Sequence, residues 1–465
     1  MPSVTPARAL SKLWSTLELP EQALADVHLT GSDPILPSSF AVGTAAQVSI
    51  SATALAAVQL WHMRTGRAQK VSVDMRHAGA EFRSERYLRV NGEPPPELWD
   101  PLSGLYRCGD GSWVRIHTNF PHHRAGIVSV LECEDSRDGV ANALREWNGA
   151  AFEQAAAERG AIAVRARSRS EWMQHPQCPA VAALPLVDIR KIGPAPVRPL
   201  PPGERPLSGL RIMDLTRIIA GPVCGRALAA HGADVMRIGA EHLPTVETLV
   251  MDTGRGKRSA FVDLRDSAGL QILRELAAGA DVLVQGFRPG ALAALGVSPD
   301  AMAEVRPGLV YGSLSAYGQA GPWAGRRGFD SMVQTACGIN DDEARAAGQS
   351  RPQALPCQAL DHATGFFLAA GIITALRRRA FEGGSWYVQV SLARTAEWLY
   401  SLGRVEQGMS TAQMNADAVL DLLEDSDSDF GRLSAVRPAA QLSETPCAYT
   451  RPGVRPGRDA PAWSG

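Results

Sequence analysis

Lysine is nearly missing from this chain of 465 residues: only Lys12, Lys70, Lys191 and Lys257 stand among its 47 cationic side chains, and the rest are arginine. With the abundant Ala, Gly and Pro, that bias is what a GC-rich, bacterial genome encodes, so a lone arginine carries no functional weight without context. Charge of either sign is not in excess. The net charge is −1 and the pI about 6.8, which excludes the global field that nucleic acid or an anionic membrane attracts. Cysteines are few and scattered (Cys108, Cys133, Cys178, Cys224, Cys337, Cys357, Cys447), odd in number and without a C-x-x-C pair. That excludes a disulfide scaffold or zinc ribbon and fits a reducing cytoplasm. No uncharged apolar run reaches the ~18 residues of a membrane span. The best candidate, 366–376, ends in Arg377-Arg378-Arg379, and the N-terminus lacks the apolar core of a secretory signal. A soluble, cytoplasmic protein is expected. His117, His122 and His123 form the one histidine cluster, without neighbouring cysteine or carboxylate ligands, so no metal is expected. Finally, no G-x-G-x-x-G or P-loop is present, which excludes the common nucleotide-phosphate cradles.

What is present is an ordinary globular composition, 45% hydrophobic and 20% charged, with chain enough for two or three domains. Six prolines between Pro194 and Pro206 break helix and strand and read as a linker over 193–206. They divide the chain into 1–192, a unit at 207–402, and a tail at 403–465. The second unit alternates strand and helix signals. Strands are expected at 210–215, 234–238, 260–264, 281–284 and 309–314, with a helix from Pro222 to His231 and another capped by Asp266 or Ser267. This predicts an α/β fold, a doubly wound, mainly parallel sheet whose ligands sit outside the carboxyl ends of the strands. The first unit reads as a smaller α+β domain. It has a helix over Ala41–Met63, a strand at Val71–Met75, a hairpin turning at Asp110-Gly111, and helices near 139–147 and 150–158.

The segment 371–392 echoes 54–75 at an offset of 317 residues: a helix ending at Gly66 or Gly383, then Val71-x-Val73 or Val388-x-Val390. At that offset Thr44 stands where Asp361 stands.

Several ordered motifs run through 207–402. They are Leu207-Ser208-Gly209-Leu210-Arg211-Ile212-Met213-Asp214-Leu215-Thr216-Arg217 with Ala220-Gly221-Pro222; Gly232-Ala233-Asp234-Val235; Phe287-Arg288-Pro289-Gly290; Gly318-x-x-Gly321-Pro322; Gly328-Phe329-Asp330; and Asp361-x-x-x-Gly365. In this order they resemble the class III CoA-transferase family, which includes formyl-CoA transferase, carnitine CoA-transferase and alpha-methylacyl-CoA racemase. The first half resembles the later part of the same family, and Leu442-Ser443-Glu444-Thr445-Pro446 resembles its C-terminal return. The resemblance therefore implies a rearranged tandem form, as a homodimer or as a pseudo-dimeric monomer.

The resemblance implies coenzyme A as part of an acyl-CoA substrate and a carboxylic acid as acceptor. It implies Asp361 as the nucleophile, forming first an aspartyl acyl-anhydride and then an aspartyl-CoA thioester. Read without the family, an Asp before an apolar helix is a good N-cap, and a helix N-terminus keeps a carboxylate ionised. Family positions that line CoA map onto Ile218, Ile219, Ala220, Val262, Arg265, Gly286, Phe287 and Arg288. Phe287 would meet the adenine, and Arg265 and Arg288 the phosphates. Polar family positions are replaced by Ala240, Gly286 and Ala294, for which Arg237, Arg255, Lys257 and Arg258 are the nearby substitutes. Two alternatives follow from these departures and from Thr44. One is a catalytically degenerate acyl-CoA-binding protein. The other is a racemase, disfavoured because the family's catalytic histidine position is Phe329. His362 is expected to pack locally.

Overall fold

The computed structural model describes residues 3–463. In chain order, the elements that build the site are strand β1 (Val27–Thr30), helix α1 (Val42–Thr65), strands β2 (Val71–Asp74), β3 (Asp188–Gly193) and β4 (Arg211–Leu215), helix α2 (Ala220–Ala230), strands β5 (Asp234–Gly239), β6 (Lys257–Phe261), β7 (Val282–Gln285) and β8 (Val310–Ser315), helices α3 (Asp330–Ala336) and α4 (Ala359–Glu382), and strands β9 (Ser385–Ser391) and β10 (Ala440–Leu442).

Short apolar runs such as Val282-Leu283-Val284 are buried on both faces, as parallel strands covered by helices must be. They assemble into a seven-stranded sheet of order β6-β5-β4-β7-β8-β9-β3. The first six strands are parallel, and β3 closes the edge antiparallel to β9. Strand order reverses between β4 and β7, which opens a crevice at their carboxyl ends. The connecting helix 267–278 starts where its cap residue dictates, with the Asp266 carboxylate accepting from Gly269 N at 2.6 Å.

Two expectations about this half need correction. The strand expected at 260–264 begins three residues earlier, at Lys257. Its two charges look like loop residues in sequence, but Asp214 on β4 and Asp234 on β5 neutralise them at 2.8 and 2.7 Å, so they lie inside the sheet. The apolar stretch 366–376 belongs to the 24-residue α4, which is long and apolar enough to cross a membrane and is buried from Ala359 to Leu376, with its last turn reaching the surface at Phe381.

The boundary at 192 and 193 also moves. Residues 194–206 form no helix or strand, but β3 immediately before them belongs to the large sheet, so the two halves share it. Conversely, β10 from the tail pairs antiparallel with β2, which itself pairs parallel with β1. Each half thus lends a strand to the other. The two arrangements match: β1, β2 and β10 repeat the directions of β8, β9 and β3, and α1 and α4 have equal length 317 residues apart. These two helices lie against each other in one apolar core, with Thr53 Oγ1 donating to the Phe366 carbonyl at 2.7 Å. The smaller α+β unit is the three-stranded sheet of 104–107, 113–116 and 163–165 with its helices, built on Val114, Ile127, Val140, Leu144 and Phe152. Its hairpin turns at Asp110-Gly111, where Gly111 adopts φ +79°.

Candidate active site

Asp361 lies in the first turn of α4, but not as its cap: the helix starts two residues earlier, after Gln358. The cap is Asp330, reaching across from α3. Its Oδ2 accepts from Leu360 N at 2.8 Å and from Asp361 N at 2.9 Å, and its Oδ1 accepts from Gln334 Nε2. The donors of the helix end are satisfied by a neighbouring carboxylate, which leaves the Asp361 carboxylate without a hydrogen bond among the described residues. It lines a cavity instead, shared with Asp330 and Glu85. The expectation that the helix end keeps Asp361 ionised is overturned. Burial first, then the charges of Asp330 and Glu85, push its carboxyl well above the ordinary range. Burial also lifts Asp330, to about 6, against the pull of the bonds it accepts.

Gly365, four residues on, has a steric reason. A Cβ there would sit 2.3 Å from the Ala220 carbonyl oxygen, so only glycine lets the start of α2 rest on α4. Ala220 is buried in that contact and lines none of the cavities described here. Ile218 and Ile219 line the Asp361 cavity, and Ile218 holds φ +75°, a strained conformation for a β-branched residue at the mouth of the crevice.

A cleft of about 490 Å³ lies beside that cavity and shares Ile218 and Phe329 with it as wall residues. The cleft is lined by Arg217, Arg288, Arg326 and Arg327 and, among the described residues, by no Asp or Glu. Arg288 is exposed and has no ion pair or side-chain hydrogen bond among the described residues, and its charge adds to burial in lowering Arg327. Arg326 lies 4.0 Å from Glu153, whereas Arg217, Arg288 and Arg327 have no carboxylate partner among the described residues, and unbalanced guanidinium groups around a cleft are what an anionic ligand satisfies. Gly286 and Phe287 line the same cleft. Phe287, His242 and Leu243 lead on into an apolar recess of about 200 Å³ that includes Val262 and Arg265. The three cavities thus adjoin one another through shared walls, in series from Arg265 to Asp361.

Not every expected cation serves it. Arg265 is bound to Asp263 through two guanidinium nitrogens, at 2.5 and 3.0 Å. Of the suggested substitutes, Arg255, Lys257 and Arg258 are buried against Asp252, Asp214 and Asp234. Arg237 alone borders a side cleft next to Arg217, with Nη1 unpartnered. Ala240 lines the apolar recess.

The walls that sequence reasoning missed come from the first half. Glu85, Arg86, Trp99, His117 and Asn119 line the Asp361 cavity, and Phe120, His122 and His123 line the cleft. The only sequence signal for them was the histidine cluster. Among the described residues no group of three or more His, Cys, Asp or Glu side chains is placed to hold a metal. The cluster is instead an aromatic stack, with His117 on Phe329 at 4.0 Å and His122 beside His123 at 4.1 Å. His362 is stacked on Phe82 at 5.2 Å, with Nε2 3.4 Å from Glu85 Oε2. Burial opposes the Glu85 charge, but His362 and then Arg86 outweigh it and lower its pKa.

The matching place in the first half is closed. Asp33 accepts from Gly43 N at 3.0 Å and Thr44 N at 2.8 Å, as Asp330 does from Leu360 and Asp361. Thr44 returns its hydroxyl to Asp33 at 2.7 Å, and Ile35 and Met75 occupy the space beside Gly43.

The chain is similar in sequence to several known proteins. An acyl-CoA transferase of Gibberella moniliformis is 28% identical over 419 residues, covering 80% of this chain and 73% of that protein. The probable fatty acyl-CoA transferase Rv3272 of Mycobacterium tuberculosis is 35% identical over 40% of this chain and 50% of its own length. Succinyl-CoA:glutarate CoA-transferase of Homo sapiens is 30% identical over 40% of this chain and 45% of its own length. The chain thus spans about half the length of the last two relatives. A crystal structure of Rv3272 matches 42% of this chain and 58% of that one, at 34% identity and a TM-score of 0.40. The profile of CoA-transferase family III matches residues 207–452, more than half of the chain, from β4 through Asp361 to the returning strand β10. The chain belongs to CoA-transferase family III.

Proposed function

We propose that this protein transfers CoA from an acyl-CoA to a carboxylic acid, with Asp361 as nucleophile. One observation carries the proposal: an arginine-lined cleft free of acids leads to a buried carboxylate that no protein group engages. The Asp361 carboxylate attacks the thioester carbonyl, the C–S bond breaks, and the thiolate leaves. A mixed anhydride between Asp361 and the acyl group remains. The thiolate then attacks the Asp361 acyl carbon, expels the first acid as carboxylate, and forms the aspartyl-CoA thioester. An acceptor carboxylate repeats the two steps in reverse order and departs as the new acyl-CoA, returning Asp361. Enclosure of the site strengthens each electrostatic contact and keeps water from the anhydride. Arg217, Arg288 and Arg327 hold the phosphates, and Phe287 stands at the entrance of the recess suited to the adenine. A family-type racemase needs an imidazole where Phe329 stands. The α1 half supports a pseudo-dimeric chain, two copies of one unit exchanging strands β3 and β10, with one working site because Thr44 replaces the nucleophile. Asp361→Asn tests the proposal. It is expected to abolish turnover while the cooperative unfolding transition is kept, and full turnover in that variant contradicts it.

A further inference from the structure

Arg237, near the carboxyl end of β5, is a buried cation that the transfer steps above do not use. It is 9% exposed, and its guanidinium makes no hydrogen bond or ion pair among the described residues. Asp214 stands opposite it in register on β4 and draws on its charge. Both Asp214 oxygens are already engaged, one by Lys257 at 2.8 Å and the other by the amide and hydroxyl of Thr216. A buried guanidinium in that state is costly unless a counter-anion reaches it. Nη1 is enclosed, and the rest of the group borders a side cleft. That cleft has a second cation in its wall, Arg217, whose hydrogen-bond partner is the Pro244 carbonyl, and no Asp or Glu among the described residues. Burial and then the charge of Arg237 lower the Arg217 pKa, as expected of two cations set together without an anion. The cleft measures about 20 Å³. A water-sized group needs ~10–15 Å³, so the space suits the oxygens of a carboxylate and is too small for a phosphate group. It shares Ile218 and Leu249 with the Asp361 cavity, and Arg217, Ile218 and Pro244 with the arginine-lined cleft.

We infer that the side cleft at Arg237 receives the carboxylate of the free acid, the one just released or the one arriving, while CoA stays bound through Asp361. The transfer reaction needs such a place. When the thiolate attacks the Asp361 acyl carbon, the first acid is set free as a carboxylate although CoA still fills the large cleft, and the acceptor arrives in the same form. Arg237 is the charge partner of that carboxylate, and Arg217 is the cation it shares with the phosphates. The inference rests on the proposed transfer reaction and adds the site of its second substrate.

Arg237→Met in the full chain tests it in two ways. The first is thermal unfolding with acetate as the probe and inorganic phosphate at equal ionic strength as the comparison. Acetate should raise the wild-type melting temperature by roughly 1 °C or more at saturation. The variant should melt no lower than the wild type without acetate, because an unpaired buried charge is gone. It should lose the response to acetate and keep the response to phosphate, which reads the arginines of the large cleft. The second is exchange of an isotope-labelled free acid into its own CoA thioester, with the donor that labels Asp361. Arg237→Met should raise KM for the acid about 10- to 100-fold more than KM for the thioester, and Arg237→Lys should recover part of the difference. The ratio of the two KM changes separates recognition of the acid from general damage to the site. No acetate response in the wild type, an acetate response that persists in Arg237→Met, or equal changes in both KM values overturns the inference and leaves the transfer reaction standing. Absence of exchange with every donor overturns both.

Discussion

Replacing Asp330 by Asn removes a charge that opposes ionisation of Asp361 while keeping an oxygen for the α4 donors. If Asp361 attacks as a carboxylate, acylation by a fixed donor rises with pH as Asp361 loses its proton, and Asp330 delays that loss. Without the Asp330 charge the rise should move to lower pH by about one to three units, the range of a close charge. Stability changes in a linked way. The Asp330 carboxyl is raised from 3.8 to about 6 in the folded protein. Below its unfolded value both states hold the proton. Between the two values the folded state keeps a proton that the unfolded chain has released, so stability falls as pH rises, and above about 6 it stays level. A displacement of about two units corresponds to on the order of 3 kcal/mol. Asn has no proton to lose, so the decline should be smaller in the variant, reduced to the part that burial of Asp361 contributes. The variant also sets an NH2 group against Gln334 Nε2, because Gln334 Oε1 is already engaged by Leu355 N at 2.9 Å. That mismatch should cost about 1–3 kcal/mol at every pH. Urea unfolding across about pH 4 to 7 and single-turnover acylation across about pH 5 to 9 read the two effects. An acylation profile that stays in place or moves to higher pH refutes the reasoning, as does the same pH dependence of stability in both proteins.

Three other outcomes are expected. Gly365→Val should destabilise the protein by about 3 kcal/mol or more, since its Cβ would meet the Ala220 carbonyl at 2.3 Å; an unchanged melting temperature contradicts the proposed contact of α2 with α4. Arg327→Met and Arg288→Met should each raise KM for acyl-CoA about 10- to 100-fold, and steady-state kinetics showing unchanged KM places the phosphates elsewhere. Thr44→Asp should leave acyl capture at one per chain, because Ile35 and Met75 fill the space beside Gly43; two adducts per chain in intact mass would contradict that.

Local chemistry made much of the large sheet legible. The apolar run before Gln285 and the Asp266 cap needed no tertiary information. Lys257 and Arg258 were misleading because charges inside a sheet become readable only when the partner strands with Asp214 and Asp234 are known. The cap of α4 was misplaced for the same reason: its acceptor, Asp330, lies 31 residues away in the chain. Asp361 was legible through its motif and its spacing to Gly365. Glu85, Arg86, Trp99 and His117 were not, because the topology carries parts of the first half, the short helix 84–87 and the smaller unit, across to the crevice of a sheet whose first central strand begins at Arg211. The proline run marked a real break in regular structure but not a boundary, since a strand on its N-terminal side completes that sheet.

The most direct test is intact-mass measurement after incubation with acyl-CoA and trapping with hydroxylamine or borohydride. The account predicts one adduct per chain, mapped to Asp361 and absent from Asp361→Asn. Turnover with no adduct at Asp361, or an adduct that persists in the Asn variant, would contradict it.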